Sequence, residues 1–152
     1  MIVISNASPL IALTQIGRLD LLGQIHPEVL IPSAVAKEIA PTLASLPHWL
    51  VVRPLSLPRK PATVSGAIGS GEHEVISLGL ELVAGRVILD ERPARRLATS
   101  LGLAVIGTVG LLLAAKDRGF LVKIRPELDR LLDVRFFMDE ELYDRILAQA
   151  GE

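Results

Sequence analysis

The feature that most constrains this chain is a recurring pair: a short, continuously apolar run followed by a segment with helical periodicity. Ile2-Val3-Ile4, Val29-Leu30-Ile31, Val87-Ile88-Leu89 and Ala104-Val105-Ile106 are such runs, and Trp49 to Val52 is a further short candidate. A strand that is apolar throughout has to be covered on both faces, and strands separated by helices pair in parallel. The expected class is therefore α/β, with a central parallel sheet.

The punctuation between the runs agrees. Ser5-Asn6 closes the first strand, and Ser8-Pro9 resembles a cap followed by Pro at the first helical position. Ala34 to Ala40 is helical in composition until Pro41 stops it. A longer helix is expected from Glu72 to Ala84, with Ser70 as its cap and Gly85 as its stop. Further helices are expected from Pro93 to Leu101, ended by Gly102, and from Thr108 to Arg118, ended by Gly119. Two more should surround the apolar knot Phe136-Phe137-Met138, for which internal packing is the first expectation and a homodimer seam the second. Pro54, Pro58 and Pro61, with Arg53, Arg59 and Lys60, mark a connection too long and too proline-rich to be a simple turn.

Length and composition exclude several classes of function. At 152 residues a single domain, 1–152, can bury a sufficient core without staples. The absence of Cys excludes disulfide scaffolds, zinc ribbons, iron–sulfur sites and thiol catalysis. The longest nearly apolar stretch, Leu101 to Ala115, is broken by three Gly and falls short of the ~18 residues a membrane helix needs. The opening Met1-Ile2-Val3-Ile4 lacks a basic leader, so a cytoplasmic location and no membrane partner are expected. With 16 Lys+Arg against 17 Asp+Glu the net charge is −1, and any nucleic-acid binding has to come from a local basic patch.

Familiar catalytic motifs are missing. Gly69-Ser70-Gly71 and Gly107-Thr108-Val109-Gly110 lack the Lys of a phosphate loop and read as turns and caps. No Gly-x-Ser-x-Gly elbow surrounds Ser5 or Ser8. His26, His48 and His73 have no metal-ligand spacing and read as surface residues. In parallel sheets the ligand site lies beyond the carboxyl ends of the strands, which directs attention to Asn6, Asp90-Glu91 and Thr108. With Glu38, Glu72 and Glu74 these form a set of oxygens suited to a hard divalent cation. On spacing alone the plainer account, a helix start whose acids complement the macrodipole, is the stronger one.

Five ordered blocks alter that balance. Ile4-Ser5-Asn6-Ala7-Ser8-Pro9-Leu10-Ile11, Val35-Ala36-Lys37-Glu38-Ile39, Gly71-Glu72-His73-Glu74-Val75-Ile76, Leu89-Asp90-Glu91-Arg92 with Ala94-Arg95, and Ile106-Gly107-Thr108-Val109-Gly110 resemble the PIN domain. More narrowly, they are similar to the short prokaryotic PIN-like toxins of type II toxin–antitoxin pairs. The resemblance implies a three-layer α/β/α sandwich and Mg²⁺- or Mn²⁺-dependent cleavage of single-stranded RNA, with a cognate antitoxin protein as partner.

Carried over position by position, the catalytic set is Asn6, Glu38, Glu72, Glu74 and Asp90, with Glu38, Glu74 and Asp90 as metal ligands. Glu72 and Glu91 are the alternatives to Glu74 and Asp90, and Thr108 matches a hydroxyl residue near the site. Asn6 stands where the wider family has Asp; an amide oxygen can ligate a metal, but one negative charge is lost. A catalytically silent PIN-fold module that binds RNA or a partner protein is the competing reading. Arg92, Arg95 and Arg96 beside Asp90 are candidate phosphate-binding residues, set against a solvated helix face with a Glu91–Arg95 pair. With 3% aromatic residues there is little stacking surface, so recognition is expected to follow backbone shape.

Overall fold

The computed structural model describes residues 1–57 and 68–152; Pro58, Arg59, Lys60 and Pro61 of the proline-rich connection lie outside the described residues. The chain runs β1 (Val3–Ser5), α1 (Ala7–Gln15), α2 (Leu19–Ile25), β2 (Val29–Ile31), α3 (Ser33–Ile39), β3 (Leu50–Val52), α4 (Ser70–Leu82), β4 (Arg86–Ile88), α5 (Arg92–Ser100), β5 (Val105–Ile106), α6 (Thr108–Asp117), α7 (Arg125–Asp133) and α8 (Glu140–Gln149). All five strands pair in parallel in the order β3-β2-β1-β4-β5, giving an α/β sandwich. Among the described residues no helix is long and apolar enough to cross a membrane.

The strand order follows from burial. β1 and β2, apolar apart from Ser5, are buried at every position and occupy the interior of the sheet. β3 is an edge, where Val51 and Val52 are exposed. The chain first builds outward from β1 through β2 to β3, then returns to place β4 on the other side of β1. The order therefore reverses between β1 and β4, and the crevice at that reversal is where a parallel sheet presents ligands. α4 makes the return crossing, resting on β1 and β4 between α3 and α5.

Several boundaries differ from the sequence expectation, each for a local reason. α1 begins at Ala7 with Asn6 as N-cap, so Pro9 is the third helical residue rather than the first. α2 carries no strong sequence signal; it is separated from α1 by Gly17 at φ +73°, a left-handed turn that Gly makes without steric cost. The N-cap of α4 is Gly69, not Ser70, and its stop is Val83 at φ +51°, not Gly85. Gly85 serves a different need, since a Cβ there would overlap the Met1 side chain. His26 and His73 are buried rather than on the surface; only His48 is exposed. Burial, reinforced by Arg86 and Arg118, holds the His26 imidazole below its usual pKa. The apolar knot is split: Met138 is buried, Phe136 is half-buried and Phe137 is 87% exposed.

The carboxyl-terminal helices are fastened by two carboxylates. Glu127 of α7, buried, accepts from Arg18 at the α1–α2 turn and from Arg130. Glu152 accepts from Lys116 Nζ at 2.7 Å and from the backbone N–H groups of Ile124 and Arg125, which begin α7.

Val83 and Glu152 are each open to a direct test. A β-branched residue in the left-handed region is strained, and Val83 has little packing to lose because it is 84% exposed. Val83→Gly should raise stability by about 1 kcal/mol in urea unfolding. The Lys116 hydrogen bond and the two N–H donors pull the Glu152 carboxyl down from 4.5 to about 2. Its stabilisation is thus complete above pH 4.5 and is lost as pH falls toward 2. Glu152→Gln should lower the melting temperature at neutral pH and flatten its decline across that acid window.

Candidate functional site

The amide N–H of Asn6 donates to Ile88 O at 3.0 Å, which fixes the residue after β1 against the end of β4, beside the point where the strand order reverses. An Asn at an N-cap normally turns its side-chain oxygen back to the N–H of the second or third helical residue. Here the third residue is Pro9, which has no N–H, and Asn6 makes no side-chain cap bond. Its Oδ1 is buried and has no hydrogen-bond partner among the described residues.

That oxygen faces the first turn of α4. A Cβ at Gly71 would lie 3.2 Å from Asn6 Oδ1 and 3.2 Å from Glu38 Cδ, and would overlap Glu38 Oε1. The missing side chain lets α4 approach closely enough for Asn6 and the α3 carboxylate to meet over its N-terminal turn. Glu72, the next residue, accepts from Gly69 N at 2.9 Å through Oε1, while its Oε2 is buried without a partner among the described residues. Burial raises the Glu72 carboxyl above its usual pKa, and the charges of Glu91 and Glu38 add to the rise. Asn6, Glu38, Glu72 and Glu91 therefore form one electrostatic neighbourhood.

Asp90 has a different setting. Its Oδ1 accepts from Thr108 N and its Oδ2 from Thr108 Oγ1, both at 2.7 Å. Burial raises the Asp90 carboxyl, Glu91 adds to the rise, and the Thr108 bonds and Arg95 oppose it. Arg95 folds back to donate to Leu89 O at 2.9 Å, so it anchors this corner instead of pairing with Glu91 as a solvated helix face would. Gly107 is the point of close approach, because a Cβ there would sit 2.7 Å from Arg95 Nη1 and 2.9 Å from Asp90 Oδ1. Arg92 and Arg96 are exposed.

The expected trio Glu38, Glu74 and Asp90 is not brought together. Glu74 turns its Oε1 to Ala34 N at 3.1 Å, in the first turn of α3, whose N-cap Pro32 has no side-chain acceptor of its own. Among the described residues no three acidic or histidine side chains surround a common point. Asn6 and Glu38 instead meet over Gly71, and the next residue, Glu72, is near enough for the Glu38 charge to act on it. This set suits a hard divalent cation, and the two unpartnered buried oxygens carry the argument, since each orphaned group costs roughly 1–3 kcal/mol unless something binds it. Thr108 sits beside Asp90 as expected, but as its hydrogen-bond donor. Sequence reasoning missed the steric roles of Gly71 and Gly107. Their only trace is their position before a helix, which turns and caps share.

No curated protein matches the chain. A solved structure, a PilT N-terminus domain protein SSO1118 from the hyperthermophilic archaeon Sulfolobus solfataricus P2, is 21% identical and superposes with a TM-score of 0.60, covering 76% of this chain and 93% of that one. At this identity the likeness is one of fold. The family model DUF3368, described as a PIN domain, matches residues 2–152. A match over almost the whole chain, on a parallel sheet with acids gathered at its carboxyl edge, shows that the chain belongs to the PIN domain family, whose fold is generally that of nucleases using divalent metals.

Proposed function

We propose that the protein is a metal-dependent endoribonuclease acting on single-stranded RNA, the toxin of a type II toxin–antitoxin pair working in the cytoplasm with a small antitoxin protein as its partner. The observation that carries the nuclease reading is the pair of buried, unpartnered oxygens, Asn6 Oδ1 and Glu72 Oε2, at the start of α4, where Asn6 meets Glu38 over Gly71. The toxin and antitoxin assignments rest on the resemblance of the five sequence blocks.

In this reading Asn6, Glu38 and Glu72 hold Mg²⁺ or Mn²⁺, with Glu72 in the place first expected of Glu74. The ion, when bound, supplies Lewis acidity toward a phosphate oxygen and lowers the pKa of water. The chain's own residues do the rest. Thr108 holds both oxygens of Asp90 and counters part of the effect of its burial, which nonetheless keeps the carboxyl above its usual pKa. Glu91 adds negative charge between the two groups, and Arg92 and Arg96 extend from α5 toward a phosphate backbone. Arg95 contributes by fixing the corner from which Asp90 projects.

The amide at position 6 favours a second reading, a PIN-fold module that binds RNA or protein without cleaving, and one substitution separates the two. Asn6→Asp is nearly isosteric and adds a unit charge, which at ~4 Å and an effective dielectric of ~20 contributes several kcal/mol toward a cation. Mn²⁺ affinity by calorimetry should rise at least about tenfold, and cleavage of single-stranded RNA should accelerate. Apo melting temperature should fall and be restored by Mn²⁺. Tighter metal without cleavage would favour the silent module, and no change in either would remove residue 6 from the site.

Glu72 yields an opposite signature. Because its folded-state pKa is raised, its ionisation destabilises the apo protein as pH rises from about 4.5 through the folded value. Glu72→Gln keeps an acceptor for Gly69 N, so it should stabilise the apo protein at neutral pH while abolishing Mn²⁺ binding and cleavage. Thermal melts with and without Mn²⁺ test both halves.

A further inference from the structure

A cleft of about 1150 Å³ runs from Ser8, Asp90 and Glu91 along β5 and α6 to α8. Its floor is apolar, with Ile106, Val109, Leu142 and Ile146 among its lining. Arg92, Arg135 and Arg145 also line it, and none of the three makes an ion pair or side-chain hydrogen bond among the described residues. Arg135 is held at φ +65°. Two residues on, Phe137 lines the same cleft with its ring in solvent, whereas Met138 next to it is buried.

We infer that this cleft is the track for an RNA single strand leading to Asp90 and Glu91, with Arg135 and Arg145 taking phosphates and Phe137 stacking on a base. The inference rests on the nuclease reading for the direction of the track, not for the binding itself. A single strand presents flat apolar base faces and an anionic backbone, which match an apolar floor bordered by uncommitted guanidinium groups and an exposed ring. Of the two acids at the start of α8 that share the wall, Asp139 is engaged in capping α8 through Leu142 N at 2.8 Å, which leaves Glu141 facing Arg92, Arg135 and Arg145. The lining reaches Asp90 and Glu91, though not Asn6, Glu38 or Glu72, so a strand bound along α8 would bring a phosphate beside those two acids.

The test is fluorescence anisotropy of a labelled 12-nucleotide oligouridylate in EDTA, where cleavage is suppressed, over a salt series. Arg135→Asn, which suits the left-handed backbone, combined with Arg145→Gln should weaken binding roughly tenfold or more. It should also lower the slope of log affinity against log salt by about 0.7 for each phosphate no longer neutralised. Phe137→Ala should weaken binding about fivefold or more with the slope unchanged. Lys123→Gln, exposed and outside the cleft, should change neither by more than a general loss of one charge allows. Melting temperatures and their shift with Mn²⁺ should be unaltered in all three.

Undiminished affinity in the cleft variants overturns the inference and leaves the cleft to a protein segment, as does the absence of RNA binding by the unaltered chain. The outcome separates cleanly from the nuclease reading. If Glu72→Gln abolishes cleavage while the cleft variants bind normally, the nuclease stands and the track falls. If the cleft variants bind weakly in a chain that never cleaves, the reverse holds.

Discussion

The packing of the first turn of α4 against the end of β1 and the last turn of α3 sets the geometry of the crevice on which the rest depends. α4 has to cross back over the sheet from β3 to β4, and its first turn passes directly over the end of β1. A Cβ at residue 71 would press on buried Asn6 and displace the end of the exposed Glu38 side chain. With only hydrogen there, the loop after β1, the last turn of α3 and the start of α4 share one small volume. Gly107 repeats the device on the other side of the crevice, where it lets Asp90, Arg95 and Thr108 close over the start of α6. The site is thus assembled by two close backbone approaches as much as by its acids.

Those approaches are costly, and the costs point to the function. Asn6 makes no side-chain cap, Pro9 having removed one of the two N–H groups it could bind, and Glu72 keeps one oxygen buried without a donor among the described residues. Elsewhere Glu74 caps α3 and Glu152 joins α6 to α7, while Glu127 accepts from two arginines through Oε1 and, like His26 Nε2, keeps one buried atom, its Oε2, without a partner among the described residues. What distinguishes Asn6 Oδ1 and Glu72 Oε2 is that both lie beside the start of α4, at the carboxyl edge of the sheet where a ligand would be met. The contrast between neighbours two residues apart, Glu72 left partly unpaired and Glu74 engaged, is therefore more informative than their shared chemistry.

The distribution of charge bears on the RNA proposed as substrate more than the net charge of −1 does. Asp90, Glu91, Asp139 and Glu141 line the cleft with the arginines, but Asp90 is held by Thr108 and Asp139 caps α8, whereas Arg92, Arg135 and Arg145 stand uncommitted among the described residues. Attraction of this kind is local, acting within about 8 Å at physiological salt, so the overall balance is nearly irrelevant to it. The few aromatic residues matter less for the same reason. Phe137 in solvent at the right place offers a base more than several buried rings would.

Much of the fold was legible along the chain, because apolar runs of β-branched residues between helical segments leave almost no alternative to a covered parallel sheet. Residues just past strand ends were legible too, since in a parallel sheet all those ends lie on one edge; Asn6 and Asp90 were found that way. Short α2 was not, as seven residues next to a glycine turn carry little periodicity. That Glu74 turns to Ala34 N while Glu72 keeps a buried oxygen without a partner among the described residues depended on tertiary structure alone. Two residues apart on a helix point about 200° from each other, and only the docking of α4 against α3 decided which of them met the first turn of α3. The sequence determined the edge of the sheet on which chemistry would occur. The packing of one helix crossing over another determined which atoms would be left there without partners.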